Sequence, residues 1–243
     1  MTDWPEDLPR RPLHVGLIGG IGVAATLVYY QRLTARCAAA GVVPEITIVH
    51  ADVQELIRNN LADDRAAQAQ SNARLLARLA DAGCDLAAIT SLGGHFCFAE
   101  TQAISPLPLV SAVTPLDDHF VAQGLGSVGL LGTRVVMQTR AYGQLARTRA
   151  LAPDDRLDEV GQRYQDMAVA GRCTPEDRAF FFRTAAVLMD RGAEAIVLAG
   201  TDLNLAFDGS TDPGYPVIDA LDVHVDLLAR LASGPDALSP DRP

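Results

Sequence analysis

No apolar run in the 243-residue chain approaches the roughly 20 residues that a helix needs to cross a bilayer. No membrane role is therefore expected. The segment Met1 to Pro12 is acidic and Pro-rich rather than basic and then apolar, unlike a secretion signal. Cysteine is scarce: Cys37, Cys84, Cys97 and Cys173 form no C-x-x-C pair and no metal-ligand spacing. Reduced thiols and a cytoplasmic location follow as the expectation, with no metal. Positive charge is also short. Lys plus Arg is 20 against 30 for Asp plus Glu, a net charge of −10, so nothing in the overall field attracts nucleic acid or an anionic membrane. An anionic ligand would have to be held by local donors. What remains is an ordinary globular composition, 49% hydrophobic and 21% charged, in a chain long enough to bury a core.

Short apolar runs alternate with longer amphipathic stretches. His14–Gly20 reads as a strand, about Val23–Ala39 as a helix and Glu45–Ala51 as a second strand. The Ala-rich stretch from about Asp64 to Ala82 reads as a helix ending at Gly83. Leu86–Leu92 and Leu107–Val113 supply two more strands. This alternation predicts an α/β fold with parallel sheets flanked by helices. Thr174-Pro175-Glu176-Asp177 has the form of a helix start. Within Arg149–Gly171, LDEVG reads as a short strand.

The pattern then restarts. VGLIGG at Val15–Gly20 is echoed by VGLLGT at Val128–Thr133, 113 residues later. Gly83–Ser91 is echoed by Gly192–Gly200 at an offset of 109, and Pro108–Ala112 by Pro216–Ala220 at 108. Hydrophobic strands before glycines resemble one another in any α/β protein, but here order and spacing agree as well. They predict two pseudo-symmetric lobes, each a mainly four-stranded parallel sheet. Residues 13–115 with 222–233 would form the first lobe and 116–221 the second. A helix at about Asp222–Leu231 would pack back on the first lobe, while 1–12 and 234–243 are expected to be flexible ends. Ligands in such sheets bind beyond the carboxyl ends of the strands, so two facing lobes would enclose a cleft.

The residues at those strand ends are the candidates for chemistry. Gly19-Gly20-Ile21-Gly22 follows the first strand, and its backbone N–H groups could hold a carboxylate or phosphate. A shifted frame, Gly20 to Ala25, gives G-x-G-x-x-A, but no acidic residue closes the second strand at Val49-His50, so a dinucleotide reading is weak. His50 itself ends that strand. The third strand ends in Thr90-Ser91-Leu92-Gly93-Gly94-His95, and its echo ends in Ala199-Gly200-Thr201-Asp202.

At these segments the chain resembles the aspartate/glutamate racemase superfamily over nearly its whole length. That family's first strand ends in Gly-Gly, matched by LIGG. Its first catalytic cysteine lies in C-N-T-x-H, which falls on Ser91 to His95, and its second lies in G-C-T-E, which falls on Ala199 to Asp202. The resemblance implies a cofactor-independent enzyme, a homodimer acting on a small carboxylic or amino acid, in amino acid or specialised metabolism. In the family one thiolate removes an α-proton and the opposite thiol reprotonates the other face through an enolate-like intermediate. Here Ser91 and Gly200 stand in place of the two cysteines. A serine hydroxyl is far less acidic than a thiol (pKa about 8.5), so two-thiol racemisation is not expected. Epimerisation, isomerisation, decarboxylation and a cyclase or lyase step remain open, as does an inactive binding or partner protein. The candidate catalytic residues are Ser91, His95, Thr201, Asp202 and His50. For substrate binding they are Gly19, Gly20, Gly93, Thr133, Gly200 and Arg172, the last near where the family places a base for the distal carboxylate. Cys97, six residues beyond Ser91, reads as core.

Overall fold

The computed structural model describes residues 11–20 and 22–234. The expected flexible ends therefore lie outside the described residues, apart from Arg11, Pro12 and Gly234, and so does Ile21 of the Gly-rich turn.

The chain runs β1 (Val15–Gly19), α1 (Val23–Ala39), β2 (Ile46–His50), α2 (Val53–Leu61), α3 (Arg65–Asp81), β3 (Leu86–Ile89), α4 (Phe98–Ile104), β4 (Leu109–Val110) and α5 (Pro115–Ala122). It continues through β5 (Ser127–Gly132), α6 (Arg134–Gln138), β6 (Arg149–Leu151), α7 (Leu157–Ala170), α8 (Pro175–Asp190), β7 (Ala195–Ala199), β8 (Val217–Asp219) and α9 (Ala220–Ser233). The two sheets have orders β2-β1-β3-β4 and β6-β5-β7-β8, and every pairing is parallel. The second order is the first with each strand replaced by the fourth one after it. The sequence echoes fall on equivalent strands, β1 with β5, β3 with β7 and β4 with β8.

Local chemistry sets the element boundaries. Asp64 caps α3 by accepting the Ala67 N–H at 3.0 Å, and the helix ends before Gly83, whose φ of +83° favours glycine. Thr174 caps α8 by accepting the Asp177 N–H at 3.1 Å, with Pro175 in the first helical position. The central strands β1, β3 and β7 are buried along their whole length, as parallel strands covered on both faces must be. The last helix returns to the first sheet: Leu221, Val225 and Leu228 of α9 share a core with Val15, Leu17, Tyr29 and Leu33.

One expectation is corrected. Leu157-Asp158-Glu159-Val160-Gly161 is not a strand but the first turns of α7. The apolar residues Val160, Tyr164 and Met167 recur at helical spacing and are buried on one face. The strand of that region is Arg149–Leu151, pairing with β5.

Candidate functional site

The segments leaving the strands' carboxyl ends meet one another. Thr201 donates to the Thr90 carbonyl at 3.4 Å, joining the ends of β7 and β3. A β-carbon on Gly93 would lie 3.3 Å from the Thr133 methyl, so the loops after β3 and β5 touch there. Beside them opens a cavity of about 100 Å³ whose lining includes Ser91, Gly93, Thr133, Arg134 and Tyr164. Ser91 is nearly buried, and its hydroxyl accepts the Gly94 N–H at 3.3 Å.

Opposite Ser91 in sequence terms stands Gly200, and its environment is the most informative feature of the site. A β-carbon at Gly200 would lie 2.7 Å from Cζ of Tyr164, and closer still to the ring's Cε2. Gly200 has an extended φ of −157°, so the backbone does not require glycine. The Tyr164 ring does. The Tyr164 hydroxyl donates to Asp202 Oδ2 at 3.2 Å, and Asp202 Oδ1 accepts the Ala25 N–H at 3.1 Å.

Asp202 therefore occupies the N-terminus of α1, a helix whose own cap position, Gly22, has no side chain. A β-carbon on Gly22 would fall 2.6 Å from Oδ1 of that carboxylate and closer still to Oδ2, so Gly22 permits the approach. The N–H that meets a carboxylate here is that of Ala25 in α1, not one of the Gly-rich turn, and the carboxylate is the protein's own. Burial pushes the Asp202 carboxyl up to about 6, against the opposing pull of its two donors. Burial first, and then the Asp202 charge, push the Tyr164 phenol well above its ordinary value.

The other expected residues are dispersed. Gly19 and Gly20 lie at the turn: the Gly19 carbonyl accepts the Ala51 N–H, and the Gly20 N–H is taken by Thr26 Oγ1 at 2.9 Å. His50 is exposed at the end of β2, its ring against Gly20, and does not line the cavity. Arg172 is exposed in the turn between α7 and α8, also away from it; the cation that lines the cavity is Arg134. His95 is buried, with Nδ1 on the Ser91 carbonyl at 2.7 Å and Nε2 accepting the Ala112 N–H at 3.0 Å. Both ring nitrogens are engaged by backbone, the tautomer is fixed, and the ring stacks on Phe98 at 5.1 Å. Cys97 is core, with its thiol pushed up by burial. Among the described residues no His, Cys, Asp and Glu side chains gather into a metal-binding group.

Tyr142 is a further participant without a sequence signal. Arg140, Ala141, Tyr142 and Gly143 have φ of 52°, 55°, 59° and 67°, a left-handed turn costing about 1–2 kcal/mol per non-glycine residue. It carries the Tyr142 hydroxyl onto the Leu92 carbonyl at 2.8 Å, bracing the Ser91 loop from the other lobe.

The buried histidines give a pH prediction. Burial lowers His95 to about 4 and His224, beneath Tyr29, to about 3. Both are neutral when folded but titrate at the ordinary 6.5 when unfolded, so their stabilisation is complete above pH 6.5 and lost as pH falls toward 4. Each should cost about 2 kcal/mol at pH 5. Asp202 works in the opposite direction, since its raised carboxyl destabilises the fold as pH rises from 4 to 6. Two histidines outweigh one aspartate. The urea midpoint should therefore fall between pH 7 and 5; a constant midpoint would contradict the neutral, buried state of both rings.

The model of the Asp/Glu/Hydantoin racemase family matches residues 18–228. The chain belongs to this family. Among solved structures, this racemase-family chain resembles a candidate Asp/Glu racemase from Yersinia pestis, with 24% identity, 90% of this chain and 99% of that chain covered, and a TM-score of 0.76. It also resembles an aspartate racemase homologue from Pyrococcus horikoshii OT3 (22% identity, 90% and 99% covered, TM-score 0.71). The Picrophilus torridus aspartate racemase is a third (17%, 91% and 95% covered, TM-score 0.70). At these identities the likeness establishes the shared fold. No curated protein matches the sequence. At Ser91 and Gly200, where the motif resemblance would put the family's thiols, this racemase-family chain has a hydroxyl and no side chain, and a tyrosine ring occupies the side-chain space of Gly200. No helix in the described residues is long and apolar enough to cross a membrane.

Proposed function

We propose that this racemase-family protein is a cofactor-independent enzyme that transfers a proton at the carbon beside a carboxylate of a small acid. An enolate-like intermediate is handled on one face by Tyr164 backed by Asp202. The observation carrying this reading is the stacked placement of Gly200, Tyr164 and Asp202. The ring that fills the thiol's space also presents a hydroxyl that is hydrogen-bonded to a carboxyl titrating near 6.

The chemistry follows from the two acidities. Tyr164 holds its proton at rest, so its forward step is to donate. When it protonates a carbanion it becomes a phenolate, which a protonated Asp202 neutralises at once; proton removal is the reverse path. Ser91 supplies a hydrogen bond from the other lobe. His95 has no part in this reading, because both its nitrogens are engaged. One proton device suits one-face reactions, such as decarboxylation or isomerisation, better than symmetric racemisation. The enzyme is taken to be a cytoplasmic homodimer, a reading supported by the family and by four free thiols.

The test is solvent-deuterium incorporation, followed by NMR, for a panel of amino acids and monosubstituted malonic acids. Deuterium should enter the α-position of at least one, faster below pH 6 than above for a reaction limited by proton delivery. Binding without exchange or turnover across the panel would instead support a non-catalytic binding protein, the reading favoured by the loss of both thiols.

A further inference from the structure

α2 is amphipathic, with Val53, Leu56, Ile57 and Leu61 at spacings of three, four and eight residues. Only Leu56 is buried in the core. The rest of the stripe faces the cavity, where Ala168 and Val169 of α7 oppose it. Leu61 and Val169 remain 64% and 56% exposed, an apolar rim that packing within the chain leaves uncovered. Among the described lining residues Arg134 is the only charged one, already paired with Asp158 at 2.9 Å. Asp158 is largely exposed, so that pair is weak and the guanidinium is available to one anion.

We propose that the side chain on the reactive carbon of this site's substrate is a short branched alkyl group, and not a carboxylate-bearing one. This rests on the cavity being the catalytic cleft, as argued above. One cation can hold one carboxylate, and a second carboxylate against the apolar stripe of α2 and α7 would have no cation to pair with, only the neutral amides of Asn60 and Gln165. Volume sets the size. The cavity of about 100 Å³ below the exposed rim has room for three to five carbons.

Calorimetric titration with alanine, valine, leucine, aspartate and glutamate, in both hands, tests this separately from turnover. Each buried methylene should tighten binding about fourfold. Leucine is then expected to bind at least tenfold more tightly than alanine, with aspartate and glutamate no tighter than alanine. Val169→Arg, at an exposed position, should weaken leucine and strengthen glutamate. Tighter binding of aspartate or glutamate than of leucine, or no binding by any of the acids, would overturn the proposal. The apolar order without deuterium exchange would support it while removing the catalytic reading. Exchange confined to the dicarboxylates would do the reverse.

Discussion

Asp202→Asn is expected to slow deuterium exchange a hundredfold to ten-thousandfold, the usual span for a proton-transfer group, while making the protein more stable at pH 7.5. The two effects have one cause. The folded carboxyl titrates near 6 rather than at its ordinary 3.8, so the folded state must ionise a group it holds more easily as the acid. The rise of about two pH units corresponds to roughly 3 kcal/mol of penalty above pH 6, absent below pH 4. Asparagine keeps an oxygen for the Ala25 N–H and can face the Tyr164 hydroxyl with its amide, so it removes the charge and little else. A gain of about 1–3 kcal/mol at pH 7.5, vanishing near pH 4, is the expected urea-denaturation result. Tyr164→Phe should lose exchange to a similar extent without that pH-dependent gain. If Asp202→Asn exchanges at the parent rate, the proton resides elsewhere and the proposed mechanism fails.

The two parallel sheets, though not their strand order, were legible in the sequence because parallel strands buried on both faces are continuous apolar runs, and the duplication repeated them in the same sequence order. Helix α1 was read with its observed ends. The short helices were not: α2, α4 and α6 span one to three turns, too short for a helical period to stand out from the loops around them. LDEVG misled because five residues cannot separate a period of 2 from one of 3.6; extended to Tyr164 and Met167, the helical spacing emerges.

At the site, sequence placed Ser91, Gly200, Thr201 and Asp202 at strand ends that the fold does bring together. It could not show that His95 spends both nitrogens on backbone, or that His50 and Arg172 lie outside the cavity, because those are facts of burial and direction. Tyr164 was invisible for a related reason. It lies 36 residues before Gly200 on a different element, and only the folded chain places its ring in the vacant side-chain position.

That placement leads to the second large effect. Gly200→Cys is expected to destabilise the protein by about 3 kcal/mol, at the upper end for overpacking in a filled site, because its β-carbon would meet the Tyr164 ring. The extended backbone at Gly200 accepts any residue, so the cost is steric alone. Tyr164→Ala removes the obstacle, at its own cost of about 3–5 kcal/mol for a truncated buried aromatic. In that background Gly200→Cys should cost no more than about 1 kcal/mol, the remainder reflecting the Gly132 Cα, which lies 3.1 Å from the added β-carbon. A coupling of about 2 kcal/mol in this double-mutant cycle would identify Tyr164 as the occupant of the second thiol's space. Equal costs in the two backgrounds would show that something else excludes a side chain there. Adding Ser91→Cys to the double variant gives thiols at both strand ends with the ring gone. Exchange at both faces of an amino acid's α-carbon by that triple variant, where the parent protonates one, would show that the racemase geometry persists beneath the substitution and that Tyr164 is what converted it.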